Sequence, residues 1–245
     1  IIHMKFWAQS ILAVSIATFS YTAQADIIGV YASADYWDLQ GDYNEALHGR
    51  AMNDDKALDW DNKGQAQMAV SFEHPVPLIP NVRLRYVGIE AESEQKHAAT
   101  DASIYETKLN NTDFIAYYEI LDNIVSVDVG VAAKRLDGDV TYLSSEFTKD
   151  KLKISETAPM VYGAVGGKLP FTGLSAKAEL LATSYSDVKI TDVSAEVKYD
   201  FVDTLLLDVG AKAGYRMLDI ELDDQDRVDT QFKFHGPYVG LEAHF

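Results

Sequence analysis

The side chains that could carry chemistry in this chain are charged residues that recur at every second position between apolar ones. Asp208, Lys212 and Arg216, for example, alternate with valine, alanine and tyrosine over residues 208–216. A β-strand points successive side chains to opposite faces, so each such segment predicts one apolar face and one charged face. Both signs occur, and charges enclosed together are stable only as pairs, which predicts an internal network of ion pairs. Its predicted members are Glu73, Arg85, Glu119, Asp128, Lys177, Glu179, Glu196, Asp208, Lys212, Arg216 and Glu242, and Asp113, Lys134 and Lys198 share the same faces.

Histidine is the next candidate for chemistry, because a histidine beside a carboxylate or a serine can act in acid–base or nucleophilic catalysis. His235 with Asp229 is one conceivable dyad, but no local motif singles it out. The sequence therefore predicts no catalytic residues and no enzyme, with an outer-rim hydrolase as the third alternative. The other histidines after residue 25 are His48, His74, His97 and His244.

Calcium binding is the third chemistry to consider. Residues 59–64 carry aspartates at the first and third positions of an EF-hand loop and glycine at the sixth. Lys63 and Val70 occupy the fifth and twelfth positions, where oxygen ligands are required, so the match fails. We predict no metal site and no cofactor, although loose binding of divalent cations by acidic loops, such as Asp223, Asp224 and Asp226, stays open.

The overall charge excludes one class of partner. The chain has 38 Asp and Glu against 21 Lys and Arg, a formal net charge of -17. Nucleic-acid binding needs clustered basic residues, so no nucleic-acid partner is expected. The chain has no cysteine, which excludes disulfides and thiolate metal sites.

The N-terminal stretch has the pattern of a secretory signal. Lys5 provides a positive start, residues 6–19 are mostly apolar, and Ala23 and Ala25 form a small-x-small cleavage site. Residues 1–25 are predicted to be a signal peptide with upstream residues. Residues 26–245 are predicted to be one domain.

Alternation of apolar and polar residues over about ten positions at a time recurs along this domain. Such segments predict the strands of an all-β, antiparallel transmembrane β-barrel with about ten strands, or eight as the alternative. The same alternation suits a soluble lipocalin-like barrel with its apolar face inward. The segments are near residues 28–36, 65–73, 82–92, 112–120, 125–134, 158–168, 174–183, 193–200, 205–216 and 236–245.

Two segments are ambiguous. In the third, Arg83 and Arg85 share a parity with Val87 and Ile89, so its inner face is undecided. The sixth, residues 160–167, is apolar on both parities and rich in glycine, which predicts a bulge or a close approach of strands.

The connections between the segments alternate in length. Residues 75–81, 121–123, 169–173 and 200–204 make short links, whereas residues 40–62, 93–111 and 137–157 make long polar ones. Short periplasmic turns and longer extracellular loops are typical of barrels in the bacterial outer membrane. Aromatic residues are expected to form two girdles, with Tyr36, Trp37, Tyr185 and Tyr215 near the loops and Phe72, Tyr118, Tyr199 and Phe245 near the turns.

The last segment is predicted to close the barrel. Val239, Leu241 and Phe245 share one parity, while Tyr238 and Glu242 share the other. Tyr238, Leu241 and Phe245 are predicted to form the signal that the barrel assembly machinery reads. Glu242 is expected to face Lys212 or Arg216 on the preceding strand, with Asp208 competing for Lys212.

Several turns and strands resemble a family of gammaproteobacterial outer-membrane β-barrel proteins of similar length with no established activity. The resemblance spans nearly all of the domain and implies fold and location, but no catalytic residues. The residues that carry it are 29–32, 73–86, 117–123, 169–174, 236–241 and 244–245.

The predicted function is therefore non-enzymatic. We expect a structural or surface-interaction protein of the bacterial outer membrane whose lumen is a packed polar core, because a barrel this narrow has little room beyond its side chains. A narrow channel for small solutes or ions is the alternative. The expected partners are outer-membrane lipid, lipopolysaccharide and the barrel assembly machinery.

Overall fold

The chain forms a closed barrel of ten antiparallel strands in a computed structural model, which describes residues 28–47, 58–98, 101–143, 149–204, 206–222 and 228–245. The predicted count of ten is confirmed and eight is wrong. The predicted signal peptide lies outside the described residues. The strands are β1 (Gly29–Leu47), β2 (Leu58–Glu73), β3 (Asn81–Ala98), β4 (Asp101–Asp122), β5 (Val125–Leu143), β6 (Lys149–Leu169), β7 (Leu174–Tyr185), β8 (Val188–Asp203), β9 (Asp208–Leu222) and β10 (Val228–His244).

Each strand pairs with its neighbours in the chain, and β1 pairs with β10 to close the barrel. Tyr31 lies opposite His244 in this seam. Phe245 extends it, since its N–H and C=O bond to Val30 at 2.9 and 3.1 Å. Among the described residues, no helix is long and apolar enough to cross a membrane.

The outer face of the barrel is apolar near the turns. Large apolar side chains on all ten strands are exposed there, including Val70, Phe114, Val131 and Leu241, each more than half exposed. A continuous apolar belt of this kind is unfavourable in water and stable in lipid. The protein is therefore a transmembrane barrel of the bacterial outer membrane. The predicted fold class and location are confirmed, and the lipocalin-like alternative is wrong.

The polarity of the two faces reverses towards the loops. On β5, the outer face carries Val129 and Val131 near the turns and exposed Arg135 and Asp137 near the loops. The inner face changes in the opposite sense, from Lys134 to buried Leu136. This reversal is expected where the strands leave lipid and enter water, because the apolar side chains must then turn inward. The same change occurs on β9, where Arg216 faces in and Met217 faces out, but one step further Leu218 faces in and Asp219 faces out. On β3 the inner residue changes from Arg85 to Ile89, and the outer residue changes from Tyr86 to Glu90.

This reversal corrects the predicted loop bounds. The ranges 40–62, 93–111 and 137–157 lie largely in strands, since β3 extends to Ala98, β4 begins at Asp101 and β5 extends to Leu143. These segments are polar because their outer face meets water, and polarity alone made them resemble loops.

The two ambiguous segments are also resolved. In β3, Arg83, Arg85, Val87 and Ile89 all face the interior, because the same inner face is charged inside the membrane and apolar outside it. The β6 ladders have no register shift, so the predicted bulge is wrong. Close approach does occur there, since a Cβ on Gly166 would lie 2.5 Å from Ser126 Oγ.

The predicted aromatic girdle at the loop end requires one correction. Tyr36, Tyr185 and Tyr215 are exposed on the outer face, but Trp37 is 1% exposed. Its indole lies in the lumen and donates a hydrogen bond to Gly236 O at 3.1 Å. Parity explains the difference, since Trp37 follows Tyr36 and must point to the opposite face.

The position of the membrane on the outer face gives a first testable result. We expect Val129→Arg to lower the free energy of unfolding by about 2–4 kcal/mol, because a charge in the middle of the lipid face loses its hydration. Ser155→Arg is the matched control, since Ser155 is exposed on β6 above the belt and lies 3.5 Å from Asp137. Urea unfolding in lipid vesicles measures both, and equal losses would contradict the assigned membrane zone.

Candidate functional site

The lumen begins at the turn end with an open cavity of about 420 Å³, here called the vestibule. All ten strands contribute to its lining, which is mainly polar and charged. Arg83, Glu119, Lys177 and Glu242 are among the side chains that line it. The vestibule is thus a water-accessible space inside the membrane-spanning part of the barrel, open towards the periplasmic turns.

A buried cluster of charges lies above the vestibule and is here called the ion-pair layer. Asp192 is its centre and accepts hydrogen bonds from Arg216 at 2.7 and 2.9 Å. It also accepts from Arg85 at 3.0 Å and Lys134 at 2.9 Å. All four side chains are at most 3% exposed, so each charge depends on the others for stabilisation. The layer consists of Arg83, Arg85, Asp113, Lys134, Glu179, Asp192 and Arg216.

Two further carboxylates complete this layer. Asp113 accepts from Arg85 Nε at 2.8 Å and lies 2.6 Å from Lys134 Nζ. Glu179 binds Arg85 at 2.7 Å and Arg83 at 2.8 Å. The contacts join strands β3, β4, β5, β7, β8 and β9 across the lumen, so the layer ties opposite walls of the barrel together.

The lumen above the ion-pair layer is filled by apolar side chains. Trp37 marks the boundary, since the Arg216 guanidinium lies 5.0 Å from its ring centre. The predicted packed polar core is therefore found only at the ion-pair layer, because the lumen below it is an open vestibule and the lumen above it is apolar. The largest fully buried apolar side chains are Trp37, Leu39, Ile89, Leu109, Leu136, Leu181, Ile190, Leu218, Phe232 and Phe234.

Little free space remains between the vestibule and this apolar core. A gap at the level of the layer has a volume of about 20 Å³ and is lined by Gln67, Arg85, Lys212 and Tyr238, among others. Such a gap holds about one water molecule. The vestibule therefore narrows sharply at its upper end.

All eleven predicted members of the charge network face the lumen. Arg85, Glu179, Lys212 and Arg216 line the small gap. The other seven, which are Glu73, Glu119, Asp128, Lys177, Glu196, Asp208 and Glu242, line the vestibule.

The predicted partners within this network are partly wrong. Glu242 binds Lys198 at 3.0 Å and lies 3.8 Å from Lys212, but Arg216 turns to Asp192 instead. Asp208 lies 3.4 Å from His244 and does not compete for Lys212. Lys198 on β8 and Glu242 on β10 come from strands that are not adjacent, so the pairing of neighbouring strands alone could not reveal that contact.

Three central residues of the network were missed at the sequence level. Asp192 directly precedes Val193, where the clear alternation of its segment begins, so the pattern does not include it. Asp35 lies 3.3 Å from Lys212, and Gln67 donates to Asp35 at 2.9 Å and accepts from Arg216. Each shares the parity of a charged face, so that signal was present in the sequence.

The predicted assembly residues do not lie on one face. Leu241 and Phe245 are exposed on the lipid side, at 55% and 60%. Tyr238 is buried in the lumen, where its hydroxyl donates to Glu196 at 2.6 Å. Their role in assembly stays a prediction.

No support for the conceivable catalytic dyad is found. His235 Nδ1 lies 2.9 Å from the Tyr215 hydroxyl, and the two rings stack. Asp229 is six residues away on the same strand, about 20 Å at strand spacing, which is too far for proton transfer. The side chains of His48, His97, Asp223, Asp224 and Asp226, and those of the EF-hand-like segment 59–62, lie outside the described residues.

Among the described side chains, no group of three or more His, Asp or Glu is arranged to hold a metal ion.

Comparison with solved structures gives similarity to bacterial outer-membrane barrels. No family model matches the chain, and no curated protein matches it. The outer membrane protease OmpT from Escherichia coli is 11% identical, with a TM-score of 0.49 over 91% of this chain and 98% of that one. The translocator domain of the autotransporter NalP from Neisseria meningitidis is 10% identical, with a TM-score of 0.45 over 98% and 96%. The attachment invasion locus protein Ail of Yersinia pestis is 9% identical, with a TM-score of 0.40 over 90% and 100%. The gammaproteobacterial family stays a prediction.

Proposed function

We propose that this outer-membrane barrel has a structural or surface-interaction role and does not conduct ions or solutes. The observation that carries the proposal is the blocked lumen. The ion-pair layer and the apolar core above it leave a gap of about 20 Å³, whereas passage of hydrated ions needs a continuous water-filled path.

The energetics of the blockage support a permanent closure. Opening a path would separate buried charges such as Asp192, Arg85 and Arg216 from one another. Breaking one buried pair by removing a partner costs about 3–5 kcal/mol. A channel that opens readily would need a constriction with weaker contacts.

The part of the barrel beyond the membrane is the surface available to partners. Its outer face carries exposed ion pairs, including Arg135 with Asp137 at 3.1 Å and Lys151 with Asp139 at 2.9 Å. The hydrogen bond from Lys151 lowers the pKa of the Asp139 carboxyl below its ordinary value, so this acid stays charged. Charges of both signs suit contact with lipopolysaccharide and its divalent cations, which we propose as the immediate surroundings of this region.

Conductance in planar bilayers tests the proposal directly. We expect purified, heat-modifiable protein to produce only background current across a wide range of voltage, because no continuous aqueous path crosses the ion-pair layer. A general porin reconstituted in parallel is the positive control. Reproducible unitary steps from the protein would replace the proposal with the narrow-channel alternative.

A further inference from the structure

The vestibule has the form of a ligand-binding pocket. It is lined by residues of all ten strands and has a volume of about 420 Å³. Pockets of roughly 300–1,000 Å³ are typical of small-molecule sites. A structural barrel with no ligand needs no such space, since the remainder of this lumen is filled by its own side chains.

Charge in the vestibule is unbalanced. Its lining carries eight Asp and Glu side chains against four Lys and Arg. Some of the acids are neutralised within the chain, as Glu242 is by Lys198 and Asp128 is by Lys177 at 3.5 Å. The excess of acids makes the pocket electronegative, and a narrow cleft with low-dielectric walls concentrates such a field.

Three of the four described vestibule acids without a Lys or Arg partner lie on one wall, and the fourth, Asp208, lies beside His244. Among the described residues, Glu73, Glu119 and Asp122 have no Lys or Arg nitrogen within 4 Å. Glu73 and Glu119 line the same cavity, and the Tyr117 hydroxyl donates to Glu73 at 2.6 Å. Acids that share one narrow cavity repel each other unless a proton or a cation lies between them.

The top of the pocket carries charges of both signs. Arg83, Lys177 and Glu196 line both the vestibule and the gap above it. A cation that entered from the turns would be attracted to the acidic wall and would find only the narrow gap beyond it. It would therefore be held in the vestibule and not passed onward, which agrees with a closed lumen.

We propose that the vestibule binds an organic cation bearing one or more primary ammonium groups, with Glu73 and Glu119 as its main contacts. An ammonium group donates three hydrogen bonds and can bridge two carboxylates while keeping further carbon atoms in the cavity. A bare metal ion fits less well, since the described acids form no group of three arranged for one. This inference goes beyond the proposed structural role and assigns a periplasmic binding activity to the same barrel.

Isothermal titration calorimetry with spermidine tests the inference on the folded protein in zwitterionic detergent. We expect saturable binding to the wild-type protein and at least a tenfold weaker affinity for the double variant Glu73→Gln/Glu119→Gln. The matched control is Asp137→Asn/Asp139→Asn, which removes the same charge from the outer face above the membrane. That control is expected to bind spermidine as the wild type does.

A second variant keeps the test informative if the double variant fails to fold. Lys168 lines the vestibule, and no carboxylate lies within 4 Å of its ammonium in the described chain. Lys168→Glu is expected to strengthen spermidine binding, because it removes a cation from the pocket and adds an acid.

Three results would overturn the inference. They are the absence of saturable binding, equal loss in the vestibule and control variants, and displacement of spermidine by an equal concentration of Mg²⁺, which would indicate simple charge screening. None of these bears on conductance, so the proposed closed barrel is tested separately.

Discussion

Replacing Asp192 by asparagine is expected to lower the free energy of unfolding by about 3–5 kcal/mol. Asp192 is 1% exposed and binds Arg85, Lys134 and Arg216 together. Asparagine has nearly the same size but no charge, so the three cations would keep only Asp113 and Glu179 as buried counter-charges. The loss therefore reports electrostatics and not packing.

Equilibrium urea unfolding in lipid vesicles measures this change, with Asp137→Asn as the control. Asp137 also pairs with an arginine, but both side chains are more than half exposed, so its loss should cost less than about 1 kcal/mol. Similar stability of the Asp192→Asn variant and the wild type would show that water reaches the layer. In that case the lumen would be more open than its geometry indicates.

Replacing Phe232 by alanine is expected to cost about 3–5 kcal/mol, the range for a fully buried aromatic side chain. Phe232 is 0% exposed and packs against Phe234 and Tyr43 at ring-centre distances of 6.0 and 5.2 Å. It lies in the apolar upper lumen, beyond the ion-pair layer. A large loss would show that this region has a core of its own, as in a water-soluble barrel.

Phe171→Ala is the matched control for this substitution, because Phe171 lies in the turn between β6 and β7 and is fully exposed. The same change of side chain should there leave the unfolding free energy within about 0.5 kcal/mol of the wild type. If both variants were equally stable, the upper strands would not form a packed core. The reversal of face polarity would then lack its energetic basis.

These two results concern the two halves of one lumen. Within the membrane, the interior must hold the polar side chains, because the exterior faces lipid. Beyond the membrane, the exterior faces water and the interior becomes apolar. Arg216 and Trp37 lie where the halves meet, so a charged layer and an apolar core close the barrel together.

The sequence by itself determined that the chain is an all-β barrel and how residues divide between the faces of the clearest strands. Alternation is a local property, so the positions of Val129 and Val131 on one face of β5 followed from their spacing alone. The structure decided between ten and eight strands, and it showed that the charged face is the inner one.

Only the tertiary structure decided which charges meet. Arg216 contacts Gln67, 149 residues away, and Arg85 contacts Asp192, 107 residues away. Such contacts depend on the register of every ladder between them and on the curvature that brings opposite walls together. The strand ends and the apolar upper lumen were hidden for a related reason. Above the membrane, polar residues lie on the outer face, whereas within the membrane they lie in the lumen. Both arrangements give the same alternation in the sequence, so only the position along the barrel distinguishes them.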